Sequence, residues 1–451
     1  MKSAIVLAAG KGTRMKSSLC KVMHPVLNKP MIGHIIKTLK DAEVDRIVVV
    51  VGHGAESVKE YLKDGVEYAL QEPQLGTGHA VMQANALEHE DGDTIVLCGD
   101  GPCIQKETIL KAFEANKEYA CTVLTSVVPA GKNYGRIVRN EGGMVERIVE
   151  AKDCSEEELK INEINTGIYC FKTQKLFEGL KEITTNNAQH EYYLTDLVEI
   201  FNRKQEAVNA YIVDDADETM GVNDRVDLAE ANKWLKNHIN HKHMVNGVTL
   251  VDPENTYIDA DVTIESDTII YPNVYLQGDT KIGKNVTILP GTVLINATIE
   301  EGTTIDSSKI EDSTIGTHTT VGPMSHIRNN TTVGSNCRIG NFVELKNSNF
   351  GNNSKCAHLT YIGDSDVGEN VNFGCGVVTV NYDGKNKYRT VVKDGAFIGS
   401  NCNLIAPVTI GENALLAAGS TITSSVDDGD MGIARSRQSI KKGFGTEYKN
   451  K

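Results

Sequence analysis

Residues 258–294 read IDADVTIESDTIIYPNVYLQGDTKIGKNVTILPGTVL, and Ile258, Ile264, Ile270, Leu276, Ile282, Ile288 and Leu294 fall every sixth residue without a miss. The beat resumes at Ile315, Val321, Ile327, Val333, Ile339 and Leu345, and again at Val392, Ile398, Leu404, Ile410, Leu416 and Ile422. Glycine often follows the apolar residue, as at Gly283, Gly316, Gly322, Gly334, Gly340, Gly399 and Gly411. Such repetition is the signature of a parallel β-helix, in which each hexapeptide forms one flat side of a coil of about 18 residues and turns its aliphatic residue inward. The beat fails in one informative place. Between Phe373 and Val392 the run VVTVNYDGKNKYRT does not keep the spacing, and Asn381-Tyr382-Asp383-Gly384 is turn chemistry. A loop is expected to leave the coil there, and loops on a rigid scaffold commonly carry function.

On the amino side of the repeats, residues 224–247 place Leu228, Ala231, Trp234, Leu235 and Ile239 at helical spacing and end in Asn246-Gly247. This predicts a connecting helix (224–249) between a first domain, 1–223, and the repeats, 250–451. Its histidines, 238, 241 and 243, make no metal site on this spacing and read as a solvated helix end. Residues 1–223 alternate short apolar runs (AIVLAA, RIVVVVG, TIVLCGD) with amphipathic stretches (MIGHIIKTLKDAEV, KETILKAFEANKEY). Strand then helix, repeated, reads as an α/β domain with a largely parallel sheet covered on both faces. Ligands of such sheets lie beyond the carboxyl ends of the strands, where Ala8–Arg14 and Cys98–Asp100 fall.

Composition limits the function classes. At 451 residues, 40% hydrophobic and 24% charged, the chain reads as an ordinary soluble protein of two or more domains. A net charge of −14 argues against nucleic-acid binding, which needs a basic footprint. The ten cysteines form neither C-x-x-C pairs nor a compact disulfide framework. With no signal-peptide pattern and no apolar run long enough to span a bilayer, the expectation is a cytoplasmic protein with reduced thiols and no membrane insertion.

The chemistry-bearing stretch of the first half is LAAGKGTRM, residues 7–15. It lacks the third glycine of a dinucleotide-binding turn and the GK[ST] of a P-loop, yet a Gly-rich turn between strand and helix still lets backbone N–H groups approach phosphate oxygens. Arg14 and Lys21 supply positive charge beside it. Asp100 ends the strand TIVLCGD, so its carboxylate emerges at the ligand edge, as a Mg²⁺ ligand or as a turn aspartate.

These residues resemble a known family. LAAGKGTRM, KVMHPVLNKPM, QEPQLGTGHAV, GRIVR, IVEAKD, EINTGIYCF and GVNDR occur in the order found in sugar-phosphate nucleotidylyltransferases. With the hexapeptide half attached, nearly the whole chain resembles the bifunctional bacterial enzymes that acetylate glucosamine 1-phosphate and then uridylylate the product. The resemblance implies an α/β nucleotidyltransferase domain, Rossmann-like with a mostly parallel sheet, joined to a left-handed parallel β-helix. It also implies small-molecule substrates, UTP, acetyl-CoA and glucosamine 1-phosphate, with Mg²⁺ as cofactor and a homotrimer formed through the β-helix.

Carried over motif by motif, the resemblance implies that Leu7, Ala8, Ala9, Gly10 and Lys21 hold the nucleotide and that Gln71, Gly76 and Thr77 recognise the uracil. Gly135, Glu150 and Asn165 would hold the N-acetylglucosamine, and Asp100 with Asn223 would bind Mg²⁺. Asn223 could instead be the N-cap of the connecting helix, and the resemblance tips it to metal ligand. The sugar phosphate would attack the α-phosphorus of UTP in line, with charge neutralised by Mg²⁺, Arg14 and Lys21. In the second half, KCAHLTYIGDSDVGENVNFGCG (355–376) resembles the acetyltransferase's catalytic segment, which makes His358 the candidate base for the amine. Arg328, Lys346, Tyr361 and Asn372 would bind the amino-sugar phosphate. Cys375, Asn381, Tyr382, Ser400, Ala418 and Arg435 would contact acetyl-CoA, and Arg437, Lys441 and Lys442 extend a basic tail suited to its phosphates. A zinc site built from His318, His326 and His358 is disfavoured, because their separations put them on different parts of the coil. Cys20, Cys103 and Cys375 depart from the family pattern without removing a proposed charge or ligand. A reading in which the repeats serve only to oligomerise or regulate the first half stays open on the residues alone.

Overall fold

Alternate residues of the strand Lys2–Ala8 point to opposite faces of one sheet, and both faces are dry. Ile5 packs with Val81, Leu176, Leu197 and Phe201 on one side, whereas Ala4 and Val6 pack with Ile32, Ile35, Leu39 and Ile109 on the other. Burial on both faces is why these strands read as continuous apolar runs. The computed structural model describes residues 1–129 and 134–449, in two units, Met1–Leu235 and Lys236–Lys451.

The sheet of the first unit contains β1 (Lys2–Ala8), β2 (Arg46–Val51), β3 (Glu67–Leu70), β4 (Asp93–Cys98), β5 (Cys121–Val127), the hairpin β6 (Arg136–Arg139) and β7 (Val145–Val149), β8 (Glu163–Lys172) and β9 (Val208–Ile212). The main order is β9-β5-β8-β4-β1-β2-β3. The expectation of a largely parallel sheet holds for β4-β1-β2-β3 and for β9-β5. It misses β8, which lies antiparallel between β4 and β5 and carries the hairpin at Ile164↔Arg136. The parallel register Leu7↔Cys98 brings the carboxyl ends of β1 and β4 side by side, which sets the loop after Ala8 against the turn holding Asp100.

The predicted connecting helix, α1, runs Arg225–Val245. Ala231, Leu235 and Ile239 are buried as their spacing requires, and Gly247 ends the segment at φ +92. Its N-cap is Asp224, whose Oδ1 accepts from the backbone N–H groups of Val226 (2.8 Å) and Asp227 (3.1 Å). The capping role considered for Asn223 therefore belongs to its neighbour, and Asp227 returns a bond to the Asn223 N–H (2.8 Å). Within the second unit, the Asn240 carboxamide donates to the carbonyls of Pro253 and Thr256, tying the end of α1 to the first coil.

The hexapeptide half forms parallel coils with three ladders. One begins with Thr249↔Ile269↔Thr287, a second with Thr256↔Val274 and Tyr275↔Val293, and a third with Thr263↔Lys281↔Thr298. All the residues of the quoted beat are buried except Ile264, in the first coil, which is half-buried. Where the beat seemed to pause, Ile299, Ile305 and Ile310 carry it on sides of five or six residues. The step between coils shrinks from 18 residues (Thr256↔Val274) to 17 (Thr287↔Thr304) and 16 (Val293↔Lys309). The corners explain the composition. Asn285, Asn336, Asn353, Asn370, Asn401 and Asn413 adopt left-handed φ values, which asparagine tolerates better than most residues. A Cβ on Gly316 would come within 2.6 Å of the Gly334 backbone in the next coil. Buried threonines seal the turns, as where Thr268 Oγ1 donates to Gly283 O (2.7 Å) and accepts from Val286 N–H (3.2 Å). The extruded loop is present where the beat fails. Val367↔Val392 is a step of 25 residues, and Asn381–Arg389 leaves the coil as a small hairpin closed by Tyr382↔Lys387.

Candidate functional sites

At the β1–β4 edge lies a cavity of about 380 Å³ lined by Leu7, Ala8, Ala9, Gly10, Gly12, Arg14, Lys21, Gln71, Gln74, Gly76, Thr77, Cys98, Asp100, Glu191 and Asn223, among others. Eleven residues singled out in the sequence converge there: Leu7, Ala8, Ala9, Gly10, Arg14, Lys21, Gln71, Gly76, Thr77, Asp100 and Asn223. The glycines of the loop differ in purpose. A Cβ on Gly10 would meet nothing within 4 Å, so its backbone stands open to a ligand, whereas one on Gly12, at φ +58, would lie 2.5 Å from the Lys21 Cβ. Gly12 thus lets the loop cross Lys21 closely. The Ala9 carbonyl is pinned by the His53 N–H (3.2 Å) and the Gln74 Nε2 (2.9 Å).

The charged groups form one constellation. Lys21 Nζ pairs with Asp100 Oδ2 and donates to Asn223 Oδ1 (3.0 Å), and Arg14 Nη2 donates to the same Asn223 oxygen (2.8 Å). A carboxylate oxygen and an amide oxygen that share one ammonium are near enough to share a cation, and both are hard donors. Because Asp224 caps α1, the Asn223 side chain is left to this site. Val222 N–H bonds to Asp100 O (2.9 Å), holding the two segments together.

Opposite, Gly76 sits at φ +107, where a Cβ would approach the Tyr192 carbonyl to 2.7 Å. Gln71, buried, donates through Nε2 to Gly76 O (3.0 Å), and Thr77 Oγ1 accepts from Leu194 N–H (3.1 Å). Gly135, Glu150 and Asn165 do not line this cavity. They gather around β8, where Asn165 N–H bonds to Gly135 O (2.9 Å) and Asn165 Nδ2 donates to Tyr169 Oη (2.6 Å). Burial raises the pKa of Glu150 against a weak bond from Thr195 Oγ1 (3.5 Å). The Cys98 thiol, pushed up to about 12 chiefly by burial and further by Asp100, is a neutral wall of the cavity. Sequence reasoning placed Cys98 at this edge but missed Gln74 and Glu191, which come to the cavity only through tertiary packing.

The second constellation follows one corner of the β-helix. His358 lies on the strand Lys355–Gly363, exposed and in register with Asn341. One residue on, Leu359 O accepts from Gly376 N–H (3.0 Å); Cys375 O accepts from Asn401 N–H (2.8 Å); Ser400 O accepts from Gly419 N–H (2.8 Å). A Cβ on Gly374 would be 2.5 Å from Ser400 N, one on Gly399 would be 2.6 Å from Ala418 N, and one on Gly419 would be 4.0 Å from Arg435 Cδ. His358, Cys375, Ser400, Ala418 and Arg435 therefore descend the same corner in successive coils. Cys375 is exposed and unpaired, and Arg435, Arg437, Lys441 and Lys442 are exposed in the tail.

Arg328, Lys346 and Tyr361 stand on the adjoining ladder. Arg328 is in register with Lys346, which pairs with Gly363, and a Cβ on Gly363 would be 2.3 Å from Tyr361 Oη. Arg328 Nε donates to Glu344 Oε1 (3.0 Å). Within this chain Asn372 is apart from that trio, between Lys355 and Phe397 on the neighbouring ladder. Asn381 and Tyr382 lie at the root of the extruded loop, Asn381 buried and Tyr382 exposed, off the corner column. The zinc alternative has no support. His326 bonds to Glu311 (2.9 Å), His318 packs over Gly302, and among the described residues no group of three His, Cys, Asp or Glu side chains could hold a metal ion. Among the described residues, too, no helix is long and apolar enough to cross a membrane.

Comparison with known proteins matches both halves of the chain. Residues 3–251 match the family described as Nucleotidyl transferase, and residues 261–296, 312–347 and 389–424 match Bacterial transferase hexapeptide (six repeats). The chain is 51% identical over 445 residues to Bifunctional protein GlmU of Shouchella clausii, covering 98% of each chain. It is 51% identical to that of Halalkalibacterium halodurans over 99% of each, and 48% identical to that of Listeria monocytogenes over 98% of this chain and 97% of the relative.

Proposed function

Since this chain belongs to the GlmU family of bifunctional transferases, we propose that its two constellations divide two successive transfers. The chain acetylates glucosamine 1-phosphate from acetyl-CoA and then transfers uridylyl from UTP to the N-acetylglucosamine 1-phosphate, giving UDP-N-acetylglucosamine and pyrophosphate. The observation that carries the reading is the convergence of Lys21, Arg14, Asp100 and Asn223 beside the open backbone of Gly10.

In the first unit the triphosphate lies along Leu7–Gly10, and Gln71, Gly76 and Thr77 take the uracil. Gly135, Glu150 and Asn165 take the sugar. Nucleotidyl transferases of this family use a divalent cation, and we assign Mg²⁺ to the Asp100 and Asn223 oxygens, where it would neutralise phosphate charge when bound. Arg14 and Lys21, already at those oxygens, provide the chain's own positive charge. The phosphate oxygen of the sugar attacks the α-phosphorus in line as the bond to pyrophosphate breaks, so the protein's task is alignment and charge compensation.

In the second unit His358 takes the proton from the amino sugar's ammonium. The freed nitrogen attacks the thioester carbonyl, and CoA departs as its thiol after proton transfer. Arg328, Lys346, Tyr361 and Asn372 hold the sugar phosphate. Cys375, Asn381, Tyr382, Ser400, Ala418 and Arg435 hold acetyl-CoA. A homotrimer assembled through the β-helix is supported by one feature: Met324, Phe342 and Leu359 are exposed apolar residues at left-handed φ, one per coil on the His358 corner, a face that a second copy would cover. We place the protein in the cytoplasm.

The test is a pair of variants followed by CoA release and pyrophosphate release. His358→Ala is expected to lower acetylation by about 10²–10⁴-fold while leaving uridylyl transfer near wild type, and Asp100→Ala to do the reverse. Loss of both activities in both variants would refute the division.

A further inference from the structure

Asp364 follows the strand Lys355–Gly363 at φ +48 and is buried, its side chain 7% exposed. A charge in such a place must be paired and hydrogen-bonded to persist. Three side chains converge on it. Asn347 Nδ2 donates to Oδ1 at 2.5 Å, Asn381 Nδ2 donates to Oδ2, and Lys346 Nζ stands 3.4 Å from Oδ2. Burial alone would raise its pKa, but the bonds from Asn347 and Asn381 and the charge of Lys346 outweigh that, and the carboxyl is held below the usual carboxylate range.

The corner itself does not require this arrangement. Coils earlier on the same corner, Asn296 Nδ2 donates to Asp312 Oδ1 (3.0 Å) with both residues exposed and no lysine involved. What distinguishes Asp364 is that it lies under the root of the extruded loop and reaches residues with different substrates. Two residues on, Asp366 binds Arg389 at the far end of that loop (2.8 and 2.5 Å), so the loop is fastened at both ends by neighbouring acids.

We propose that Asp364 is a positioning residue of the acetyltransferase, fixing from one buried carboxylate both the ammonium of Lys346, which takes the amino-sugar phosphate, and the carboxamide of Asn381, which contacts the acyl donor. The inference rests on the roles assigned to Lys346 and Asn381 above. Asp364 touches neither substrate. It restricts where the two groups that do can stand, and so bears on both binding steps together.

The experiment uses the full-length protein and measures the KM values for glucosamine 1-phosphate and for acetyl-CoA separately. Asp364→Asn, which keeps the shape but removes the charge, is expected to raise both KM values about tenfold, with uridylyl transfer unchanged. Lys346→Met serves as the control for the underlying assignment, and should raise KM for glucosamine 1-phosphate alone. Wild-type KM values in Asp364→Asn, or a rise for one substrate only, would overturn the proposal, as would a lowered melting temperature with unchanged KM values. If Lys346→Met leaves KM for glucosamine 1-phosphate unchanged, it is the assignment of Lys346 that fails. Asp364→Glu, retaining the charge, is expected to recover part of both losses, and no recovery would count against a positioning role for the carboxylate.

Discussion

Gly76 shows how one residue ties a binding pocket to a distant segment. Its φ of +107 is open to glycine and costly for any other residue, and the space where a side chain would begin is filled by the Tyr192 carbonyl. Gly76→Ala must therefore move the 191–192 segment or abandon the turn that presents Gln71 and Thr77. The expected result is a loss of about 1–3 kcal/mol in denaturant unfolding of the first unit and a raised KM for UTP, with acetylation kinetics unaltered. Unchanged UTP kinetics would show that the turn is not part of the nucleotide pocket. At this scale the sequence was informative wherever a motif is local. LAAGKGTRM and TIVLCGD put Gly10, Arg14 and Asp100 at the correct strand ends because both strands belong to the same parallel core. Glu191 and Gln74 were invisible, since what brings them to the loop is packing across more than sixty residues of chain.

Among the elements, the short helical turn Ala216–Thr219 has the most measurable consequence. It bears Glu218, 4% exposed, whose Oε1 accepts from Thr108 Oγ1 at 2.5 Å, and it leads into Val222 and Asn223. Burial first, then Asp215 and Asp214, raise the Glu218 pKa to about 7 from an ordinary 4.5. Between those two pH values the folded chain keeps a proton that the unfolded chain releases, so this group's contribution to stability falls as pH rises from about 4.5 to 7 and is level above that. Glu218→Gln keeps the acceptor for Thr108 without the charge. It should stabilise the first unit at pH 8 by roughly 3 kcal/mol, with the gain shrinking to nothing near pH 4.5. The single tryptophan, Trp234, whose Nε1 bonds to Asp215 Oδ2 (3.1 Å), reports that unfolding locally by fluorescence. A gain independent of pH would contradict a buried, protonated Glu218. The hexapeptide element was the most legible part of the chain, because every coil places its aliphatic residue in the same surroundings. The apparent pauses in its beat were sides shortened to five residues, a change that preserves burial while spoiling the count. The antiparallel β8 was hidden for the opposite reason. Its apolar run is like that of its parallel neighbours, and only the position of the chain before and after it determines its direction.

On the scale of the whole molecule, the two proposed chemistries need nothing from each other except the intermediate. The groups proposed for uridylyl transfer, Arg14, Lys21, Asp100 and Asn223, belong to the first unit, and the proposed base His358 with its corner column belongs to the second. The product of the second unit is the substrate of the first, and it can pass through solution between chains. The most direct measurement mixes two full-length variants, Asp100→Ala and His358→Ala, and follows UDP-N-acetylglucosamine formed from glucosamine 1-phosphate, acetyl-CoA and UTP. Neither variant alone should form it at an appreciable rate, whereas the mixture should approach the rate of the wild-type protein at equal site concentration. A mixture that stays silent, although each variant retains its own half-reaction, would contradict two independent sites in one chain.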